Sequence, residues 1–288
     1  MTIYGLVVIT GILGGQSAAT PTASTKLSWF SDYGRAMAAA QRDHEMLLVE
    51  FHDDGTDVAE DRLVERLRAN VRLRELARRY VRVRVARSQV ASVDGKQIRL
   101  INHAAFAELQ GEAGLAIIDF KDPESAQYGY VVSIYPFNLP GALEVAKLAV
   151  LLDLPAGTLT QRTLIFAVRT NPEHPASTNG RIYEPLVDEA ESQAAYQAQI
   201  QLQGHQHWES RFHRINGELP DGLLSQEVCA ESWPGQGLIA AALECVHSWR
   251  QSPGHWSAVK SPHRFFGYDM KRGRNGIWYA TGIFSVRH

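Results

Sequence analysis

The 288-residue sequence is poor in cysteine and has no excess of either charge. Two cysteines, Cys229 and Cys245, exclude zinc ribbons, multi-cysteine clusters and disulfide-dense scaffolds, and leave either one disulfide or two free thiols. Its 29 Lys and Arg against 31 Asp and Glu give a net charge of -2, so no global field favours nucleic acid or an anionic membrane. With 45% hydrophobic residues, the chain has a globular composition, and its length favours two domains.

Long apolar runs are also missing from the sequence, because none approaches the roughly 20 residues that a transmembrane helix needs. A shorter run, Ile3 to Leu13, is followed by small residues such as Ala18 and Ala23. This order predicts a secretory signal peptide over residues 1–24, although Lys and Arg do not precede the run; the alternative is a buried first strand. We therefore expect a secreted or periplasmic protein without a transmembrane anchor.

Helical and strand patterns alternate through the first half of the chain. Short β-branched strands alternate there with helical segments, which predicts an α/β domain over residues 28–153. Residues 154–180 are rich in Pro, Thr, Asn and Gly, which is typical of an interdomain linker. Eight of the eleven histidines and five of the six tryptophans lie beyond residue 173, so site chemistry is expected in the second domain, residues 181–288.

Ten arginines lie between Arg62 and Arg87, which raises the question of nucleic-acid binding. Acidic residues such as Glu65 and Glu75 interleave with them, and leucines recur at helical spacing. That pattern is typical of a solvated amphipathic helix. Arginine then alternates with valine, as on a half-exposed strand. We therefore predict no nucleic-acid partner.

The segment from Trp29 to Tyr33 and the strand that ends at Phe51 resemble the opening of thioredoxin-like proteins, over about residues 28–150. In that family a Cys-x-x-Cys pair opens the next helix, where the helix N-terminus lowers a thiol pKa. The corresponding residues here, Thr56 to Ala59, contain no sulfur. The resemblance therefore implies a redox-inactive domain, because disulfide exchange needs a thiolate.

The second half contains the sequence Ser252-Pro253-Gly254-His255-Trp256 after a helical segment that ends near Trp249. Two aromatic strand patterns joined by an Asn-Gly turn follow it. This order resembles the bacterial branch of the CAP superfamily (cysteine-rich secretory, antigen-5-like and pathogenesis-related-like proteins, or SCP domains), over about residues 160–288. The resemblance implies an α-β-α sandwich, so the chain is expected to be an α/β protein with a thioredoxin-like domain followed by a CAP-type sandwich.

The CAP resemblance also implies a groove lined by two histidines and two acidic residues, whose histidines bind zinc in several members. One groove histidine matches His255, and the other is His205 or His207. On a continuous helix over residues 187–212, His205 lies on the apolar face and His207 points away, so we expect His205. The strand acid of the family matches Glu227.

The second groove acid of the family falls three residues after the tryptophan that matches Trp249, where this chain has Ser252. Glu231 is the expected substitute, because it lies on the same side of an extended strand as Glu227. The expected groove is therefore lined by the following residues: His205, Glu227, Glu231, Ser252, His255 and Trp256.

Two functions from different classes follow from this groove. The first is an exported binding protein for a small ligand, a metal or a cell-envelope partner, with zinc as the candidate ion on His205 and His255. The alternative is a hydrolase in which Glu227, His205 and His255 activate water, with or without zinc. A structural reading, in which these side chains satisfy one another by hydrogen bonds, also stays open. Cys229 and Cys245 are candidates for a disulfide or for two buried thiols.

Overall fold

The computed structural model describes residues 27–55, 61–93 and 96–287, which divide into two compact units between Leu159 and Thr160. Each unit combines helices with a four-stranded sheet, so the predicted general α/β class is confirmed. The predicted signal peptide lies outside the described residues, as does the segment 56–59. None of the helices in the described ranges is long and apolar enough to cross a bilayer.

The first unit is built around the strand order β2-β1-β5-β6, in which β1 and β2 are parallel and the other neighbours are antiparallel. A separate hairpin, β3-β4, lies outside that sheet. The elements are α1 (Tyr33–Asp43), β1 (Met46–His52), α2 (Arg62–Ala69), α3 (Val71–Ala77), β2 (Tyr80–Ala86), β3 (Val90–Val93), β4 (Lys96–Arg99), β5 (Gly114–Ile118), β6 (Val131–Pro136) and α4 (Val145–Leu152).

The arginine-rich segment forms two short helices where the apolar spacing predicts one. Asn70 has an extended backbone and its side chain accepts a hydrogen bond from the backbone N–H of Leu73, at 3.0 Å, so it ends α2 and caps α3. Asparagine is a strong N-cap because its side chain competes with the helical hydrogen-bond pattern. The helix is therefore interrupted at Asn70, although the apolar spacing runs on through both helices.

The second unit begins within α5, and its sheet has the order β7-β9-β10-β8, with β7 parallel to β9 and the other neighbours antiparallel. The elements are α5 (Leu159–Arg169), β7 (Arg181–Ile182), α6 (Glu184–Ile200), α7 (Trp208–Glu218), β8 (Leu223–Glu231), α8 (Leu238–Gln251), α9 (Pro253–Lys260), β9 (Phe265–Arg272) and β10 (Trp278–Arg287).

The segment 154–180, predicted as a linker, contains α5 and is not an irregular connection. Residues 160–168 are all buried, and the apolar run from Leu164 to Val168 lies within this helix. The Pro, Thr, Asn and Gly residues that suggested a linker stand mainly on either side of the run. The unit boundary falls at the start of the helix, so the segment belongs mostly to the second unit.

Helices lie on both faces of the second sheet. On one face, α6 approaches β9 so closely that a Cβ atom on Gly267 would lie 2.3 Å from the carbonyl carbon of Leu186. On the other face, Trp249 of α8 contacts Tyr268, with ring centroids 5.8 Å apart. Successive strand residues point to opposite sides, so the neighbours Gly267 and Tyr268 assign α6 and α8 to opposite faces.

A buried charge network joins β1, β2 and the start of α2 in the first unit. Arg84 donates to Glu50 at 2.9 Å and also pairs with Asp61, and all three side chains are at most 6% exposed. Asp61 also caps α2 by accepting from the backbone N–H groups of Leu63 and Val64. Burial raises the pKa of Glu50 to about 8, and the neighbouring Asp61 adds to that rise. A protonated Glu50 leaves one carboxylate to balance one guanidinium.

The network predicts a stability that falls with rising pH. The unfolded Glu50 loses its proton near pH 4.5 and the folded one near 8, so between these values only the folded state holds the proton. The free energy of unfolding should therefore fall by up to about 1.4 kcal/mol per pH unit in this window relative to Glu50→Gln, which has no proton to lose. Urea unfolding of both proteins from pH 4.5 to 9 measures this difference, and a difference that stays constant would contradict the assignment.

Candidate functional site

A loop, a strand and the first turn of a helix bring three predicted groove residues together. His205 lies between α6 and α7, Glu227 lies in the middle of β8, and His255 is the third residue of α9. His205 Nδ1 is 3.0 Å from Glu227 Oε1, and His205 Nε2 is 3.2 Å from His255 Nε2. His205 therefore contacts the other two side chains through different ring nitrogens.

The chain leaves the helix before it reaches His205, so the predicted helix over residues 187–212 is wrong. Gln201 ends α6 with a left-handed backbone, and Gly204 has a φ of 156°, a conformation that favours glycine. The side chain of Gln203 donates to the carbonyl of Cys229, at 3.2 Å, and the Gly204 N–H donates to Gln197 Oε1, at 3.0 Å. These bonds hold the loop beside β8.

The loop explains why His205, and not His207, faces Glu227. His205 does not lie on the apolar face of a helix as predicted, because neither histidine lies inside a helix. His207 is instead the residue before α7, and its Nε2 lies 3.2 Å from the hydroxyl of Tyr196. The choice of residue agrees with the geometry, although the reason given for it does not.

The first turn of α9 positions His255. Pro253 occupies the first position of that helix, where the missing N–H removes no helical hydrogen bond, and His255 follows in the first turn. Burial lowers the pKa of His255 below its usual value, and the charge of His205 lowers it further, while Glu227 opposes both. A neutral imidazole is therefore favoured, and it has a lone pair to offer.

Glu227 has a second partner that the sequence analysis missed. Its carboxylate is 1% exposed, and Arg211 Nη2 donates to Oε2 at 2.5 Å. Arg211 also forms an ion pair with Glu189 at 3.5 Å, and Glu189 pairs with Arg214 at 2.5 Å. Within α7 only Arg211 and Ile215 are buried, so an arginine at an apolar position of an amphipathic helix was the available signal.

The other predicted groove residues make no polar contact with this cluster. Glu231 is exposed at the end of β8, and Ser252 precedes α9 without a side-chain capping bond. Trp256 donates its indole N–H to Glu173 at 3.1 Å. Across the described part of the chain, no hydrogen bond or ion pair joins these three side chains to His205, Glu227 or His255. The second acid of the expected groove is therefore missing from the cluster.

Cys229 and Cys245 are free, buried thiols, so of the two alternatives left open by the sequence the structure has two buried thiols and no disulfide. The Sγ atom of Cys229 lies 3.9 Å from Thr281 Oγ1, on the sheet face that Glu227 and α6 share. Cys245 lies in α8, which packs on the opposite face. Burial raises the pKa of both thiols above their usual value, and Glu227 contributes to the rise at Cys229.

No protein-family model matches the chain, and no curated protein matches it.

Two buried thiols predict a simple chemical result. An aromatic disulfide reagent that reports free thiols should find none in the native protein, because both sulfur atoms are buried. After denaturation without reductant it should find two, and Cys245→Ser should lower that number to one. Denatured wild-type protein with no reactive thiol would show that the disulfide forms.

Replacing Arg211 tests the buried charge cluster. Arg211→Met leaves Glu227 buried without its guanidinium, so we expect a loss of about 3–5 kcal/mol in the free energy of unfolding. Arg214→Met removes the exposed partner of the same Glu189 and should cost less than about 1 kcal/mol. Urea unfolding of both variants measures the contrast, and equal losses would mean that burial of Arg211 has no special role.

Proposed function

We propose that the second unit is a CAP-type domain that binds a divalent metal, zinc before others, through His205 and His255. The observation that carries this proposal is the 3.2 Å separation of the two Nε2 atoms. Zinc–nitrogen bonds of about 2.0–2.1 Å in tetrahedral geometry put two ligand nitrogens about 3.3–3.4 Å apart. The two imidazoles therefore need little movement to share one ion.

Glu227 supports this proposal as the partner that orients His205. A carboxylate on Nδ1 favours the tautomer with its proton on that atom and leaves Nε2 with a free lone pair. The lowered pKa of His255 favours the neutral ring that a metal requires. A bound zinc ion would polarise a ligand carbonyl or lower the pKa of a bound water.

The number of protein ligands favours a site with open positions. Two imidazoles occupy half of a tetrahedral shell, and the residue at the position of the second family acid is Ser252, which offers no carboxylate. The remaining positions are available to water or to an oxygen ligand. We therefore propose a small ligand, or a cell-envelope component with a carboxylate, as the molecule that this domain recognises in an exported protein.

The first unit is proposed to be a redox-inactive thioredoxin-like domain. Its parallel β1-β2 pair, extended by antiparallel β5 and β6 in the order β2-β1-β5-β6, supports that comparison. Both cysteines of the chain lie in the second half, so this unit has no thiol for disulfide exchange. Its proposed role is an accessory packing or binding surface.

Hydrolysis is the second candidate, favoured by the Glu227–His205 contact. A carboxylate that orients an imidazole is an arrangement used in general-base catalysis. Both Glu227 oxygens are engaged, one by His205 and one by Arg211, so the base in this reading is an imidazole and Glu227 positions it. Turnover of an activated ester that is lost in His205→Ala would favour this candidate over binding alone.

Metal titration tests the primary proposal. Wild-type protein should bind one Zn²⁺ in calorimetry, His205→Ala should weaken binding by more than about 100-fold, and His255→Ala should weaken it measurably, because each removes a direct ligand. His207→Ala is the matched control, since that histidine contacts Tyr196 and should leave affinity unchanged. If both ligand variants keep wild-type metal content, the groove does not bind metal.

A further inference from the structure

His205 faces a second set of donor atoms on its inner side. One ligand atom each from His205, Glu227 and Cys229 lies within 4.8 Å of the other two. Residues 227 and 229 alternate to the same face of β8, so the thiol and the carboxylate are neighbours by strand geometry. In the described ranges this is the one group of three His, Cys, Asp or Glu residues with such spacing.

Charge distinguishes this inner set, His205, Glu227 and Cys229, from the outer pair, His205 and His255. Arg211 already balances Glu227 through a bond of 2.5 Å, so Glu227 offers a cation little net negative charge. A divalent ion held there by neutral imidazole alone would add to the charge of Arg211. A thiolate from Cys229 supplies the missing anion, and sulfur ligands select soft cations.

We propose that His205, Glu227 and Cys229 form an inner site for thiophilic divalent cations. Cd²⁺ and Co²⁺ serve as laboratory probes of this site. This site goes beyond the outer position on His205 and His255, and it does not require His255 as a ligand. On binding, the Cys229 S–H bond breaks, the sulfur electron pair forms the metal–sulfur bond and the proton leaves to water. No atom is oxidised or reduced.

The ring of His205 binds the ion through a different nitrogen in the outer and the inner position, and the other nitrogen then has a different partner. In the outer position Glu227 orients the ring and Nε2 binds the ion. In the inner position Nδ1 binds the ion, the ring proton moves to Nε2, and His255 Nε2 accepts it across the 3.2 Å contact. Each nitrogen of His205 therefore has a partner in both cases, as metal-binding histidines generally do.

The geometry requires only a small closing movement. Metal–sulfur and metal–nitrogen bonds of about 2.3 and 2.1 Å put tetrahedral donor atoms about 3.5 Å apart. The donor separations do not exceed 4.8 Å, so they must shorten by about 1.3 Å at most. His205 is the residue that can move, because it lies in a loop and its side chain is 40% exposed. The Gln203 bond to the Cys229 carbonyl keeps that loop in place.

Cobalt spectroscopy of the full chain tests this inner site. Co²⁺ added to wild-type protein should produce a near-ultraviolet thiolate-to-cobalt charge-transfer band, and His255→Ala should keep it. Cys229→Ser should abolish the band and weaken Cd²⁺ binding by more than about 100-fold. Cys245→Ser is the matched control, because that buried thiol lies on the other sheet face and should change neither result.

The wild-type spectrum decides the question even if Cys229→Ser does not fold. Bound Co²⁺ with visible bands but no charge-transfer band would overturn the inner site and leave the outer histidine pair intact. A band that survives Cys229→Ser, or that disappears in Cys245→Ser, would also overturn it. Absence of any Co²⁺ or Zn²⁺ binding would reject both positions together.

Discussion

The buried carboxylate of Glu227 requires compensating partners, because an unpaired charge in the interior costs several kcal/mol. Its partners come from two other segments, Arg211 from α7 and His205 from the preceding loop. The position of that helix and that loop against β8 is therefore tied to one side chain in the sheet. The side chains that neutralise Glu227 in the interior include His205, a member of the candidate site, which spans β8, the loop before α7 and the first turn of α9.

The first unit also buries carboxylates, and their charge is compensated in a different way. Glu50 and Asp61 share the single guanidinium of Arg84, and a proton on Glu50 removes the excess negative charge. At the second site Arg211 meets Glu227 and Glu189, but Arg214 provides a second cation. Neutrality is therefore reached by proton uptake in one unit and by an extra arginine in the other. The first arrangement makes folding stability depend on a carboxyl proton near neutral pH.

Local patterns in the sequence were enough to predict some elements and not others. The β9-β10 hairpin and the helix that ends near Trp249 follow from turn chemistry and apolar spacing within a few residues. The helix breaks at Asn70 and Gly204 were not predicted, because apolar spacing continues across both. The competing hydrogen bonds there run from a backbone N–H to a side chain, Asn70 in one case and Gln197 in the other. The convergence of His205, His255 and Glu227 came from a family resemblance. The burial of Arg211 beside Glu227 was not predicted, because an arginine in a charged helix is ordinarily solvated.

The Arg211 bond also decides which chemistry the cluster can support. With one oxygen held by a guanidinium and the other by an imidazole, the buried carboxylate of Glu227 is kept away from a substrate, and its role toward the histidine pair is to orient His205. The reactive groups of the site are then two imidazoles and, on the inner side, one thiol. Such a set is rich in nitrogen and sulfur and poor in net negative charge, and therefore suits borderline and soft metal ions better than calcium or magnesium, which require several oxygen ligands.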